Sequence, residues 1–231
     1  MNAPKSNRRR AFTLVELMVA MTVTLILAVM ACNLVMGSFN IRGREDQKTA
    51  ALADSQRALN LMSREIANSG FGLTTNGIVA ADSAADRVRV RANLNAFDRY
   101  VSSASVSDPN EDVGYKLVTD GANSYIQRLD VNTGARTTVL ANRVDALRIR
   151  YFREKVTYDT DFENCNITNV SPLLTAAGAT NEVAAAPAQA KFLVMSVCVD
   201  LPARGTPGSS GYQPQSKVLL ASDVTLRNSV R

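Results

Sequence analysis

The strongest constraint on this chain is one stretch near its start, Arg8 to Met36, which reads RRRAFTLVELMVAMTVTLILAVMACNLVM. From Phe12 to Met36 the only charged side chain is Glu16. At about 1.5 Å per residue this run makes a helix of roughly 37 Å, enough to cross ~30 Å of hydrocarbon. Lys5, Arg8, Arg9 and Arg10 precede it, and positive charge on that side holds an N-terminus in the cytoplasm. A membrane helix is the first expectation, with everything downstream on the far side.

Glu16 adds a second constraint. An ionised carboxylate inside a bilayer costs several kcal/mol, so its presence points to a use. A cut between Ala11 and Phe12 would create an α-amino group four residues, one helical turn, from Glu16. Cation and anion would then share one membrane level and pair within a chain or between packed copies. Ala11 is small and separates the basic cluster from the apolar run, as a cut site should. Three blander readings fit less well. A secretory signal has a shorter apolar core followed by a small-x-small site, which this run lacks in clean form. Val29-Met30-Ala31-Cys32 resembles a lipoprotein box, yet Met30 and the early acid are out of place in one. A plain anchor leaves Glu16 without a purpose. Cys32 reads best as a small side chain in a helix–helix contact.

The residues KSNRRR-A-FTLVELMVA resemble the class III leader of type IV pilins and type II secretion pseudopilins. That resemblance implies cleavage after Ala11 by a membrane prepilin peptidase, N-methylation of Phe12, and neutralisation of a neighbour's N-terminus by Glu16 during assembly. Ala11 departs from the family, where Gly usually precedes the cut. Two further stretches, LNLMSREIANSGFG with Leu61, Met62, Glu65, Ile66, Gly70 and Phe71, and the closing VTLRN from Val224 to Asn228, are similar to segments of PilW-like minor pilins. The second is similar to J-type minor pseudopilins as well.

Charge then reads differently. The leader carries four of the 26 Lys and Arg and no acid, leaving 22 basic against 21 acidic residues. The basicity belongs largely to the orienting signal and does not itself argue for nucleic acid. There is no His, which excludes His acid–base work, a Ser-His-Asp triad and the usual His zinc ligands. No cofactor or metal is expected, and an enzyme is not.

Past the apolar run, 37–69 continues as an amphipathic helix with Leu52, Leu59, Met62 and Ile66 on one stripe. Arg44, Asp46, Lys48, Asp54, Arg57, Arg64 and Glu65 are left to face water. Gly37 and Gly43 should weaken the helix and permit a bend, and Ser69-Gly70 should stop it. From Gly72 the period changes to two: Arg87–Arg91, Tyr115–Val118, a hairpin of 124–131 and 136–140 turning at Gly134, then Ala146–Phe152, Phe192–Leu201 and Lys217–Leu226. Phe192–Leu201 is more continuously apolar and should be central.

These elements predict an α+β chain, a long N-terminal helix packed on an antiparallel sheet head, which is the pilin-like architecture the resemblance also implies. The expected divisions are a leader 1–11, a transmembrane or filament-core helix 12–36, its continuation 37–69, and a periplasmic head 70–231 with irregular loops 160–190 and 203–216.

Three constellations carry secondary expectations. Cys165 and Cys198 face an oxidising compartment in this topology, and a bridge closing about 30 residues would contribute ~3–4 kcal/mol. Arg87, Arg89 and Arg91 line one strand face about 6.7 Å apart, a spacing that could follow phosphates, although no aromatic residues interleave for base stacking. Asp159-x-Asp161-x-Glu163 opens like a calcium loop but has Asn164 at the turn position and lacks the distal Glu.

The functional expectation is a minor pilus subunit of the PilW kind. Its implied partners are other minor and major pilins, the prepilin peptidase that also methylates, and the inner-membrane assembly platform. Its expected place is the bacterial inner membrane, single-pass, and then the filament. Alternatives are a minor pseudopilin of a type II secretion system and a DNA-uptake pilin.

Overall fold

In the computed structural model the described residues are 13–96, 106–121, 123–141, 143–173 and 181–228. They form two compact units, one of residues up to Glu45 with Ala203–Pro214, the other of Asp46–Pro202 with Gln215 onward. A single helix, α1 (Leu14–Ala67), supplies residues to both. Gly37 and Gly43 lie within it, with no interruption of the helix at either.

In the second unit α1 buries Ala51, Ser55, Ala58, Leu59, Met62 and Ile66. Leu52, expected in this stripe, is 37% exposed. At about 100° per residue it falls on the margin of a face whose centre is held by the smaller Ala51, Ser55 and Ala58. The helix stops because Gly70 takes φ 79° and donates its amide to the Arg91 carbonyl at 2.8 Å. A Cβ on Gly70 would lie 2.6 Å from the Thr75 carbonyl oxygen, so conformation and space both require glycine there.

Among the described residues nine strands follow: β1 (Arg87–Arg91), β2 (Asp112–Asp120), β3 (Asn123–Asp130), β4 (Arg136–Leu140), β5 (Val144–Phe152), β6 (Val156–Asp161), β7 (Asn166–Pro172), β8 (Phe192–Leu201) and β9 (Ser216–Thr225). All pairings are antiparallel. They make a four-stranded sheet β1-β2-β3-β4, a three-stranded sheet β5-β8-β9 and a two-stranded hairpin β6-β7. The β3–β4 turn places Gly134 at φ 73°, as an Asn-Thr-Gly turn requires.

β8 is the expected central strand, and the structure gives the reason for its nearly continuous apolarity. Leu193, Met195, Val197 and Val199 join the core that holds Leu59, Met62 and Ile66 of α1. Phe192 and Val194 point the other way, into a second core with Phe152, Val156 and Ile167. The strand is covered on both faces, so alternation has no polar side to show.

That second core corrects the expectation of an irregular segment over 160–190. β6 extends to Asp161 and β7 occupies Asn166–Pro172 within it, while Val183 and Pro187 are buried. Only Val156, Tyr158, Ile167 and Val170 face inward from the hairpin. The polar residues between them hide a strand whose outer face is wet. Residues 174–180 of the segment lie outside the described residues.

Candidate functional site: an uncovered apolar helix

The first part of α1 presents apolar side chains in every direction. Its most apolar window has mean hydropathy 2.4 and none of it is buried. Leu14, Val15, Met18, Leu25, Ile26, Met30 and Leu34 are all exposed. A soluble chain would not leave such a surface open. Two of its hydroxyls are satisfied within the helix, as hydrocarbon demands. Thr22 and Thr24 donate their hydroxyls to the carbonyls of Val19 and Met21, each at 2.9 Å.

Thr13 precedes the first helical residue, and its hydroxyl accepts the Glu16 amide at 3.3 Å. Thr13 is therefore the N-cap and Glu16 the third helical residue, the arrangement of a capping box. Sequence reasoning passed over Thr13, although T-x-x-E was visible as the cap signature. The Glu16 carboxylate sits favourably at the positive end of the helix, and Glu16 remains exposed. Ala11, Phe12, Lys5, Arg8, Arg9 and Arg10 lie outside the described residues.

Where the apolar run ends, Ala203–Pro214 runs against the helix as a strap. The two glycines expected to weaken α1 are instead its seats. Gly211, at φ 77°, could carry no Cβ, because one would fall 2.4 Å from the Gly37 Cα. A Cβ on Gly43 would meet the Arg204 guanidinium carbon at 2.4 Å. Arg44, expected in water, is buried and donates from Nη2 to the Pro214 carbonyl at 2.8 Å. The strap itself closes through a two-way backbone pairing of Arg204 with Gln213 at 2.8 and 2.9 Å. Sequence alone could not separate a glycine that weakens a helix from one that admits another backbone.

Glu65 is likewise drawn out of water. Its carboxylate accepts the Tyr115 hydroxyl at 2.5 Å and Arg128 Nε and Nη2 at 3.0 and 3.1 Å. Burial, reinforced by that carboxylate, holds the Tyr115 hydroxyl well above its ordinary pKa. This triad ties the end of α1 to β2 and β3. The stretches 61–71 and 224–228 also meet at the end of the helix. The Arg227 amide donates to the Ala67 carbonyl at 3.1 Å, and Asn228 Nδ2 to that of Ser69 at 3.5 Å. VTLRN thus satisfies carbonyls that the helix end leaves open.

The basic strand does not present three free guanidiniums. Arg89 grips Asp112 through Nε and Nη2 at 2.7 and 2.8 Å, and Arg91 Nε reaches the same carboxylate at 2.8 Å. Arg89 also pairs with Asp82 at 2.5 Å. Burial alone would raise the Asp112 carboxyl, but the two arginines overcome it and hold it below the ordinary carboxylate value. Arg87 is exposed. Spacing along β1 was legible; the buried acid on the next strand was not.

Cys165 and Cys198 are joined as a disulfide, with Cα atoms 5.7 Å apart. The bond clamps the tip of the β6–β7 hairpin onto β8, and Leu219 packs beside it. Arg148 Nε adds a hydrogen bond to the Cys165 carbonyl at 3.1 Å. The acidic triplet braces the hairpin's own turn. Asp161 accepts the amides of Glu163 and Asn164 at 3.1 and 3.2 Å, and Asp159 accepts Asn169 Nδ2 at 2.8 Å. Asp159 and Asp161 belong to β6, a strand geometry unlike a calcium loop.

Residues 6–31 match the family model of the prokaryotic N-terminal methylation motif. This match takes in Arg8, Arg9, Arg10, Ala11, Phe12 and Glu16 and continues into the uncovered helix as far as Ala31. Among solved structures, a type IV-like pilin from Thermus thermophilus is similar over 78% of this chain and 98% of its own, with 15% identity and a TM-score of 0.39. No curated protein matches the chain.

Proposed function

We propose that this chain is a minor type IV pilus subunit of the PilW kind, polymerising through its N-terminal helix. The observation that carries the reading is an exposed apolar helix inside a methylation motif, with its single acid one turn from Phe12. In the membrane the helix is covered by lipid. On cleavage after Ala11 the new amine of Phe12 is methylated, and Glu16 of one subunit meets the amine of another. Transfer from bilayer to filament then exchanges lipid for neighbouring helices at little apolar cost, while the ion pair rewards correct axial register. The cysteine bridge and the Glu65 triad keep the head intact during that exchange. The subunit's partners are other pilins, the prepilin peptidase and the assembly platform, with the N-terminus cytoplasmic and the head periplasmic.

Mass spectrometry of the mature N-terminus tests this directly. N-methylated Phe12 is the expected first residue; an intact Met1 or a lipidated Cys32 would end the pilin reading. DNA contact by Arg87, Arg89 and Arg91 is not favoured, because Asp112 already engages two of the three. A minor pseudopilin of type II secretion shares the leader, and pilus or secretion genes beside this one would separate the two.

A further inference from the structure

The last turns of the apolar run lead into a face of α1 that changes character within eight residues. Leu34, Ser38 and Arg42 follow at intervals of four, with Val35 and Phe39 beside them, and these five line a cleft of about 220 Å³. Over roughly 12 Å of helix the lining passes from aliphatic side chains through a hydroxyl to a guanidinium. Phe39 is 65% exposed, and Arg42 has no ion pair among the described residues. Arg44 is turned inward to Pro214, and Glu45 and Asp46 follow about one turn after Arg42. A gradient from aliphatic to cationic within this length is the profile of a phospholipid from its acyl chains to its phosphate. It starts where a run long enough to span the bilayer ends.

We propose that this cleft holds an anionic phospholipid of the leaflet facing the head. Its acyl region lies along Leu34, Val35 and Phe39, and its phosphate is met by Ser38 and Arg42. The inference rests on reading Phe12–Met36 as a membrane span. Each arginine near an anionic surface should enrich the lipid about fivefold at low salt.

The chain has no Trp, so Phe39→Trp places a single fluorophore in the cleft. The full chain carrying it is reconstituted in phosphatidylcholine vesicles with an equal minor share of either dibrominated phosphatidylglycerol or dibrominated phosphatidylcholine. The expected result is severalfold stronger quenching by the brominated phosphatidylglycerol. Molar salt should remove that preference, as should Arg42→Gln, while inorganic phosphate at the same ionic strength should leave it unchanged. Equal quenching by the two lipids overturns the lipid site and leaves the span standing. Quenching by neither overturns the span and the site with it. Displacement by inorganic phosphate identifies a free-anion site and overturns the lipid.

Discussion

One helix is stabilised in two opposite ways along its length. Residues 46–67 bury a stripe against two sheets of their own chain, and Leu59, Met62 and Ile66 are fully covered. Each such side chain contributes about 1.5–3 kcal/mol by leaving water. Residues 14–36 bury nothing within the chain and expose Leu, Val, Ile and Met on every side. They carry no amphipathic stripe because every face needs an apolar cover. The lesson is that the second length depends on this chain's core, whereas the first depends on what surrounds it. Substitutions should therefore separate assembly from stability.

The largest expected effect lies in the uncovered length. Glu16→Ala should leave membrane insertion intact and nearly abolish recovery in sheared filaments, measured by comparing membrane and sheared fractions. The thermal melting of the head should not move. If that variant entered filaments at the normal level, the contrast between the two lengths would lose its functional meaning.

Next comes the covered length and the head it belongs to. Replacing Cys198 with Ser should lower stability by about 3–4 kcal/mol, because the bridge closes a 33-residue separation whose unfolded entropy it restricts. Chemical unfolding of the full chain in detergent, with and without reductant, would measure this; an unchanged midpoint would show the hairpin held by its small core alone.

Asp112→Asn should cost about 2–3 kcal/mol by leaving Arg89 and Arg91 without their shared anion. The same carboxylate predicts an acid limb. Its folded pKa is depressed below the ordinary 3.8, so its contribution is complete above that value. It is lost as pH falls through the lower folded pKa. Unfolding midpoints of native chain and variant should converge in that acid range, and curves that stay parallel would refute the pairing.

The smallest effect is expected at Arg87, exposed on the same strand. Arg87→Glu should change stability by less than ~0.5 kcal/mol and leave piliation intact. A loss of DNA uptake in that variant, with pili still present, would revive nucleic-acid binding at this edge.

Much of the head was legible because its signals are local. Arg87–Arg91 and the hairpin at Gly134 alternate cleanly, and β8 matches its apolar run. The hairpin within 160–190 was not legible, since only Val156, Tyr158, Ile167 and Val170 mark its inner face and polar residues dominate the rest. Arg44 and Glu65 looked solvated for the same kind of reason. A charged residue on a helix is soluble by default, and only a distant Pro214 carbonyl or the Tyr115–Arg128 pair reverses that.

By itself the sequence determined the uncovered helix and the place of its lone acid, because length and hydropathy act without reference to any partner. Tertiary structure alone decided which glycines of α1 receive the strap, which arginines are already engaged by Asp112, and that Cys165 reaches Cys198. Those outcomes depend on residues far apart in the chain arriving within hydrogen-bonding or van der Waals distance, and no local pattern encodes that arrival.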